Sequence, residues 1–287
     1  MKSTDYAYAA GYIDGDGCFQ IGNQKWGSHL VVVSTRKQSI LWFMEKFDGS
    51  IRKILPRTDN RLPSYHFRFS IKGLNELPQI SKFLVEKQSE FSVFQEFRNA
   101  CGLIDKNPFT EQMKVLKNEF GLIDKSPKIE LTSIRNTIIP TEEDFAYLAG
   151  FIDAECSLDV SRVKQKKGTF YTYRPQIQCN NSKYPFFFWV SARFGGQFHF
   201  LDKSNVPNCR NQLLWRISNK QLDPILQGIF PYLISKKSIC EKMIELRKYC
   251  IRKGRVSSND PEFNEKYMVL NQLKESLYNQ IIHLNNI

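Results

Sequence analysis

Asp16 and Glu155 are the last acids of two copies of one nine-residue stretch. They lie 139 positions apart, as do Gly11 and Gly150. The first copy reads Ala9-Ala10-Gly11-Tyr12-Ile13-Asp14-Gly15-Asp16-Gly17. The second reads Leu148-Ala149-Gly150-Phe151-Ile152-Asp153-Ala154-Glu155-Cys156. Carboxylates are oxygen ligands for hard divalent cations, and acids holding two nearby metals stabilise both oxygens of a phosphodiester displacement. Asp14-Gly15-Asp16-Gly17 alone could open a calcium loop, but the remaining ligands of such a loop do not follow. Downstream, Lys87 in Val85-Glu86-Lys87 and Lys236 in Ile234-Ser235-Lys236 occupy matching positions of the two halves. No nucleophile triad or phosphate-cradling glycine loop competes with these groups.

Helices must carry both acids. Thr4-Asp5 precedes Tyr6-Ala7-Tyr8, and Thr141-Glu142-Glu143-Asp144 precedes Phe145-Ala146-Tyr147, both patterns of a helix start. Each copy then runs into an alternating, strand-like segment, residues 18–21 or 157–160. Each acid therefore stands at the exit of a helix whose small and apolar residues are expected on one side. Ala10, Gly11, Ala149 and Gly150 are small enough to let two helix backbones approach closely. Cys156 stands where the first copy has Gly17, and cysteine is expected to enter a glycine turn only with strain.

In these residues the chain resembles the two-repeat LAGLIDADG homing endonucleases. The resemblance implies paired motif helices at a pseudo-twofold axis, with Asp16 and Glu155 catalytic and binding Mg2+ or Mn2+. Two adjacent carboxylates at the negative ends of two helices are tolerable with hard cations between them. The resemblance also implies a basic residue near each phosphate. By position these are the catalytic candidates Lys87 and Lys236, with Arg36 and Lys183 behind them. Asp14 and Asp153 match family positions that help end the helix near the interface. The implied fold is α+β: two pseudo-symmetric α-β-β-α-β-β-α repeats, each with a curved antiparallel four-stranded sheet, forming a saddle on double-stranded DNA. The implied activity is an intron-encoded, site-specific double-strand DNA endonuclease. Some members of the family are maturases that help their host intron RNA to fold without needing the acids, and a DNA-binding protein with inactive motifs is a third reading. The presence of an acid in both copies favours the nuclease.

The charge pattern supports a nucleic-acid partner independently. The 287 residues carry a net charge of +12, yet residues 17–72 hold ten Lys and Arg against three acids. Residues 157–220 hold eleven against two, so these two strand-rich stretches together carry +16 and the rest of the chain −4. A solvated surface mixes both signs, whereas a basic sheet face suits a nucleic-acid backbone. Seven scattered cysteines without a Cys-x-x-Cys pair predict reduced thiols and no zinc site. No apolar run is long enough to span a bilayer, and the first residues do not begin a secretory signal. An intracellular, soluble protein is expected, in a mitochondrion or chloroplast if the intron is organellar.

The candidate DNA-reading residues follow from strand parity. Residues 65–71 alternate cleanly, with Tyr65, Phe67, Phe69 and Ile71 inward and His66, Arg68 and Ser70 outward. Gln20, Gln24, Arg52, His66 and Arg68 are the candidates of the first half. Those of the second are Ser157, Asp159, Ser161, Arg174, Gln176, Gln178, Asn180, Gln197, His199 and Arg216. Arg68 and Arg216 correspond in the repeat. Glutamine and asparagine suit adenine, and arginine suits guanine. Helices are expected over 34–47, 74–84, 89–101 and 110–120, and over 184–194 in the second half. A longer hairpin turn is expected at 162–169 of the second half, with Lys164, Lys166 and Lys167. The repeats are placed at 1–123 and 141–287, joined by an extended linker at 124–140. Because the halves differ in almost every outward residue, a monomer with a long, non-palindromic target is expected.

Overall fold

In a computed structural model, residues 1–22, 28–56, 63–100, 106–118, 121–124, 127–164, 171–207, 209–253 and 260–283 are described. The first half runs α1 (Ser3–Asp16), β1 (Gly17–Gln20), β2 (His29–Ser34), α2 (Lys37–Lys46), β3 (Gly49–Ile54), β4 (Ser64–Phe69), α3 (Leu77–Ile80) and α4 (Gln88–Asn99). After α5 (Asn107–Asn118) and α6 (Lys128–Ser133) the order recurs. It runs α7 (Glu142–Ala154), β5 (Ser157–Lys164), β6 (Tyr171–Asn181), α8 (Tyr184–Phe194), β7 (Gln197–Leu201), β8 (Gln212–Ser218), α9 (Leu222–Ile229) and α10 (Lys237–Lys253), and then α11 (Pro261–His283). The two antiparallel sheets have the same topology, β1-β2-β4-β3 and β5-β6-β8-β7.

Strand alternation sets two faces on each sheet. In β4, Tyr65, Phe67 and Phe69 are buried, and Phe43 of α2 and Phe47 at its C-terminal cap meet the rings of Phe67 and Phe69. Ile71 does not join that face. β4 ends at Phe69, the Gly73 amide donates to Ser70 Oγ at 3.1 Å, and the turn leaves Ile71 59 % exposed. In the second half Trp215 and Ile217 of β8 are buried, with Trp215 edge-on to Phe186 of α8. Each fully buried ring contributes about 1.5–3 kcal/mol of transfer free energy.

Several expected boundaries moved. α2 starts at Lys37, because Ser34 completes β2 and accepts from Tyr12 Oη at 2.8 Å and the Arg36 amide at 3.0 Å. The single helix expected over 74–84 is three short pieces: a 3₁₀ turn Gly73–Glu76, α3, and a second 3₁₀ turn Ser81–Phe83. Pro78 lies in the first turn of α3 and lacks the N–H that would continue a helix from residue 74. The β5–β6 hairpin is lengthened by its strands, since Arg162 to Lys164 pair with Tyr173 to Tyr171. Gln165, Lys166 and Lys167 lie outside the described residues.

The stretch 124–140 is not simply extended. It contains α6, buries Leu131, and lies along α8, where the Asn136 and Ile138 amides donate to the carbonyls of Ser191 and Ala192 at 3.0 Å each. Among the described residues no helix is long and apolar enough to cross a membrane.

Candidate active site and nucleic-acid face

The site is built where α1 crosses α7. Ala7 through Asp14 and Ala146 through Asp153 are buried without interruption. These helices are therefore enclosed on all sides, and not apolar on one side as their sequences suggest. A Cβ on Gly11 would collide with the Tyr147 carbonyl, and one on Gly150 with the Tyr8 carbonyl. Only glycine permits this reciprocal approach.

Asp14 and Asp153 lock the crossing. Asp14 accepts from the amides of Val85 (2.7 Å), Glu86 (3.1 Å) and Lys87 (2.9 Å), at the start of α4. It also accepts 2.7 Å from Tyr147 Oη of the other repeat. Asp153 repeats the pattern with the amides of Ile234 (2.7 Å), Ser235 (3.2 Å) and Lys236 (2.9 Å), with Ser235 Oγ at 2.9 Å and with Tyr8 Oη at 2.9 Å. Burial pushes the Asp14 carboxyl up, against the pull of Lys87 and these donors. The acids thus do more than end a helix, because each ties its own motif helix, the facing helix and the next helical segment together.

Asp16 is the last residue of α1, and Glu155 caps α7. A Cβ on Gly15 would lie 2.5 Å from Cβ of Ala154 and 3.0 Å from Cγ of Glu155, so the two helix ends meet beside the acids. Burial pushes Asp16 up to about 7; the Glu155 charge adds to this, and Lys87, Lys236 and Arg36 oppose it. Glu155 opens to solvent on one side, yet the surrounding protein still raises its carboxyl, against Lys87 and Lys236.

Each lysine reaches the end of its own motif helix. Lys87 Nζ donates to the carbonyls of Ile13 (2.7 Å), Asp14 (2.7 Å) and Gly15 (3.3 Å). Lys236 Nζ donates to those of Ile152, Asp153 (3.2 Å) and Cys156 (2.6 Å). These bonds go to helix-end carbonyls, of which Ile13 and Ile152 also accept the Gly17 and Cys156 amides, and place positive charge at the negative pole of the dipole. Lys236 is buried, and burial together with Arg36 lowers it to about 8. Arg36 crosses between repeats to the Asp153 carbonyl at 2.7 Å. Lys183 is directed elsewhere: it pairs with Glu90 at 3.2 Å and donates to the Leu116 carbonyl at 3.4 Å. Gly17 has φ −85° and ψ 153°, a region open to any residue, and Cys156 is not among the residues at positive φ. The expected strain at Cys156 is therefore absent. What a side chain at position 17 would meet is Ile13.

Among the described residues no three His, Cys, Asp or Glu side chains cluster. The donor set still suits a hard cation. Asp16 is a carboxylate whose ionised form burial and Glu155 disfavour, and magnesium needs only one or two carboxylates when phosphate oxygens and water complete its shell.

The outer faces of the sheets carry the sequence-predicted readers. Register aligns Cys18, Val31, Arg68 and Ser50 across the first sheet, and Val33, His66 and Arg52 beside them. The second sheet aligns Ser157, Gln178, Arg216 and Gln197, then Asp159, Gln176 and Ser218, then Ser161 and Arg174. Gln20, Arg52, Arg68, Ser157, Arg174, Asn180, Gln197 and His199 are exposed, while His66, Asp159, Ser161, Gln178 and Arg216 are half-buried. Gln176 shares the face but is only 4 % exposed, on a central strand between Asp159 and Ser218. Gln24 lies outside the described residues. Burial and the Arg52 charge hold His66 below the usual imidazole range. Val31, Val33 and Leu214 also lie on these faces and were missed, because an unbroken apolar run such as Leu30-Val31-Val32-Val33 hides its parity.

No family model and no curated protein matches the sequence. Solved structures do match the fold. The I-SmaMI LAGLIDADG homing endonuclease bound to cleaved DNA aligns over 94 % of this chain and 96 % of its own, with a TM-score of 0.63 at 18 % identity. I-SmaMI bound to uncleaved DNA target in the presence of calcium ions gives 0.62 at 18 %, covering 94 % and 98 %. The LAGLIDADG meganuclease I-AabMI bound to uncleaved DNA gives 0.63 at 17 %, also covering 94 % and 98 %. With its crossed motif helices and paired four-stranded sheets, the chain has the fold of the two-repeat LAGLIDADG homing endonucleases.

Proposed function

We propose that the chain is a site-specific endonuclease that hydrolyses both strands of a DNA duplex with Mg2+ or Mn2+. The observation that carries this reading is the meeting of Asp16 and Glu155 at two helix ends, with Asp16 pushed up to about 7 by burial and by Glu155. Structures of the same fold have been solved on cleaved DNA and on uncleaved DNA with calcium. Asp16 and Glu155 would hold the cation. When bound, it supplies charge for the phosphoryl oxygens and a more acidic water for in-line attack.

The chain's own groups do the rest. Lys87 and Lys236, fixed by helix-end carbonyls, keep positive charge beside each acid and offset the charge that grows on the phosphoryl oxygens. Arg36 adds a third positive group, near Asp16. The outer faces of the sheets lie in the major groove, where alternate side chains reach base edges. Residues 1–123 and 141–287 each cover one half of a non-palindromic target, joined by 124–140, so one chain suffices.

The test is incubation of the full chain with duplex DNA spanning the uninterrupted form of its own host site, with magnesium, manganese or chelator. Linear product at one position, only with metal, is expected. Intact duplex in every condition overturns the reading.

A further inference from the structure

Arg68 and Arg216 occupy the same place in the two sheets by register, not only by sequence. Arg68 aligns with Val31, Cys18 and Ser50; Arg216 aligns with Gln178, Ser157 and Gln197. Cys18 and Ser157 each stand two residues beyond the motif acid, Asp16 or Glu155. Both arginines therefore project from the third strand of their sheet, in the cross-strand row that begins two residues after the acid. Each is braced by a neighbour on the same face. Arg216 Nη2 donates to Gln178 Oε1 at 3.1 Å, and its buried Nε has no hydrogen-bond partner among the described residues. Arg68 Nη2 lies 3.4 Å from Nδ1 of His29, which must act as the acceptor because a guanidinium only donates. A braced guanidinium loses less freedom when it engages a planar acceptor pair.

Resting on the DNA-cleaving reading above, we infer that the target carries two guanines related by the pseudo-twofold axis, one read by Arg68 and the other by Arg216. Read along one strand, a guanine and a cytosine stand at equal distances on either side of the cleavage centre. Elsewhere the rows differ. Val33, His66 and Arg52 in the first sheet lie where Asn180, Leu214 and His199 lie in the second, so no further mirror symmetry is expected. Arginine fits this position because its fork matches the O6 and N7 acceptors that guanine alone presents together in the major groove.

The test selects duplexes from a randomised pool by binding to the full-length protein and sequences the bound fraction. A mirror-related G/C pair is expected, with each guanine preferred about five- to hundredfold over other bases. Arg68→Gln should shift one of the two positions toward adenine, and Arg216→Gln the other. Placing 7-deazaguanine at each position should weaken binding of the unaltered protein, a readout that needs no variant to fold. A motif without the mirror pair, or one indifferent to 7-deazaguanine at both positions, overturns the inference and leaves the nuclease reading standing. Failure of the unaltered protein to select any motif overturns the DNA-recognition reading beneath it.

Discussion

Tyr147 of one repeat donates a 2.7 Å hydrogen bond to the buried carboxylate of Asp14 in the other. Tyr8 returns the same contact to Asp153 at 2.9 Å. The repeats are thus joined by reciprocal phenol–carboxylate bonds directly behind the catalytic candidates, and not by apolar packing alone.

Loss of one such bond should be measurable. Tyr147→Phe is expected to cost about 1.5–3 kcal/mol of unfolding free energy, the range for a hydrogen bond to a charged group. Asp14→Asn should cost more, since it also weakens the bonds from three amides at the start of α4. Denaturant unfolding of both single variants and the double variant should give non-additive losses. Additive losses would mean that the two side chains do not act together.

Glu86 supplies a pH signature. Burial, followed by the nearby Asp14 charge, pushes its carboxyl up to about 8, against Lys87, the Asn181 hydrogen bond and Lys183. An acid with a folded-state pKa above its unfolded value binds extra protons when folded. Its stabilising contribution is complete below about pH 4.5 and is lost as pH rises through about 8. The protein should therefore lose stability between pH 5 and 9. Glu86→Gln keeps an acceptor for Asn181 Nδ2, which donates to Glu86 Oε1 at 2.7 Å, and should reduce the slope. The gain at pH 9 should be on the order of a few kcal/mol. Asp14, Asp16 and Glu155 are shifted the same way, so part of the slope should remain. An unchanged slope in the variant would refute the burial of an ionising Glu86.

The +16 carried by residues 17–72 and 157–220 predicts steep salt dependence of DNA binding. Each neutralised phosphate releases counterions, lowering the logarithm of affinity by about 0.9 per tenfold rise in salt. Replacing both Lys166 and Lys167 with alanine should reduce that slope by up to about 2 without changing which sequence is preferred. Titrations at several salt concentrations measure it, and a flat dependence would remove the basic faces from the binding model.

What the sequence revealed, and what it hid, follows from the range of each interaction. Asp16, Glu155, Lys87 and Lys236 stood out because local patterns recur in both halves, the acids 139 and the lysines 149 positions apart. The bond from Tyr147 to Asp14 spans 133 positions and leaves no local trace. Val31 and Val33 share an apolar run with Leu30 and Val32, so period-two parity is lost until Arg68 and His66 align opposite them. Lys183 has the right charge and the right place in the repeat, but Glu90, on a different helix, claims it. Pro78 was visible and should have divided the helix expected over 74–84.

The two acids give the decisive prediction. Asp16→Asn and Glu155→Gln keep shape and hydrogen-bonding capacity but remove the charge that holds a hard cation. Each should abolish double-strand cleavage while specific DNA binding persists, measured by plasmid linearisation beside a gel-shift titration. Burial raises both carboxyls, and the Glu155 charge raises Asp16 further, so neither variant should be less stable than the parent in the absence of metal, and thermal melts should show equal or higher midpoints. The helix ends meet beside both acids, and Asp16 feels the charge of Glu155. One substitution should therefore slow cleavage of both strands instead of giving a clean nick in one. Near-normal double-strand cleavage by either variant would remove Asp16 and Glu155 from the chemistry.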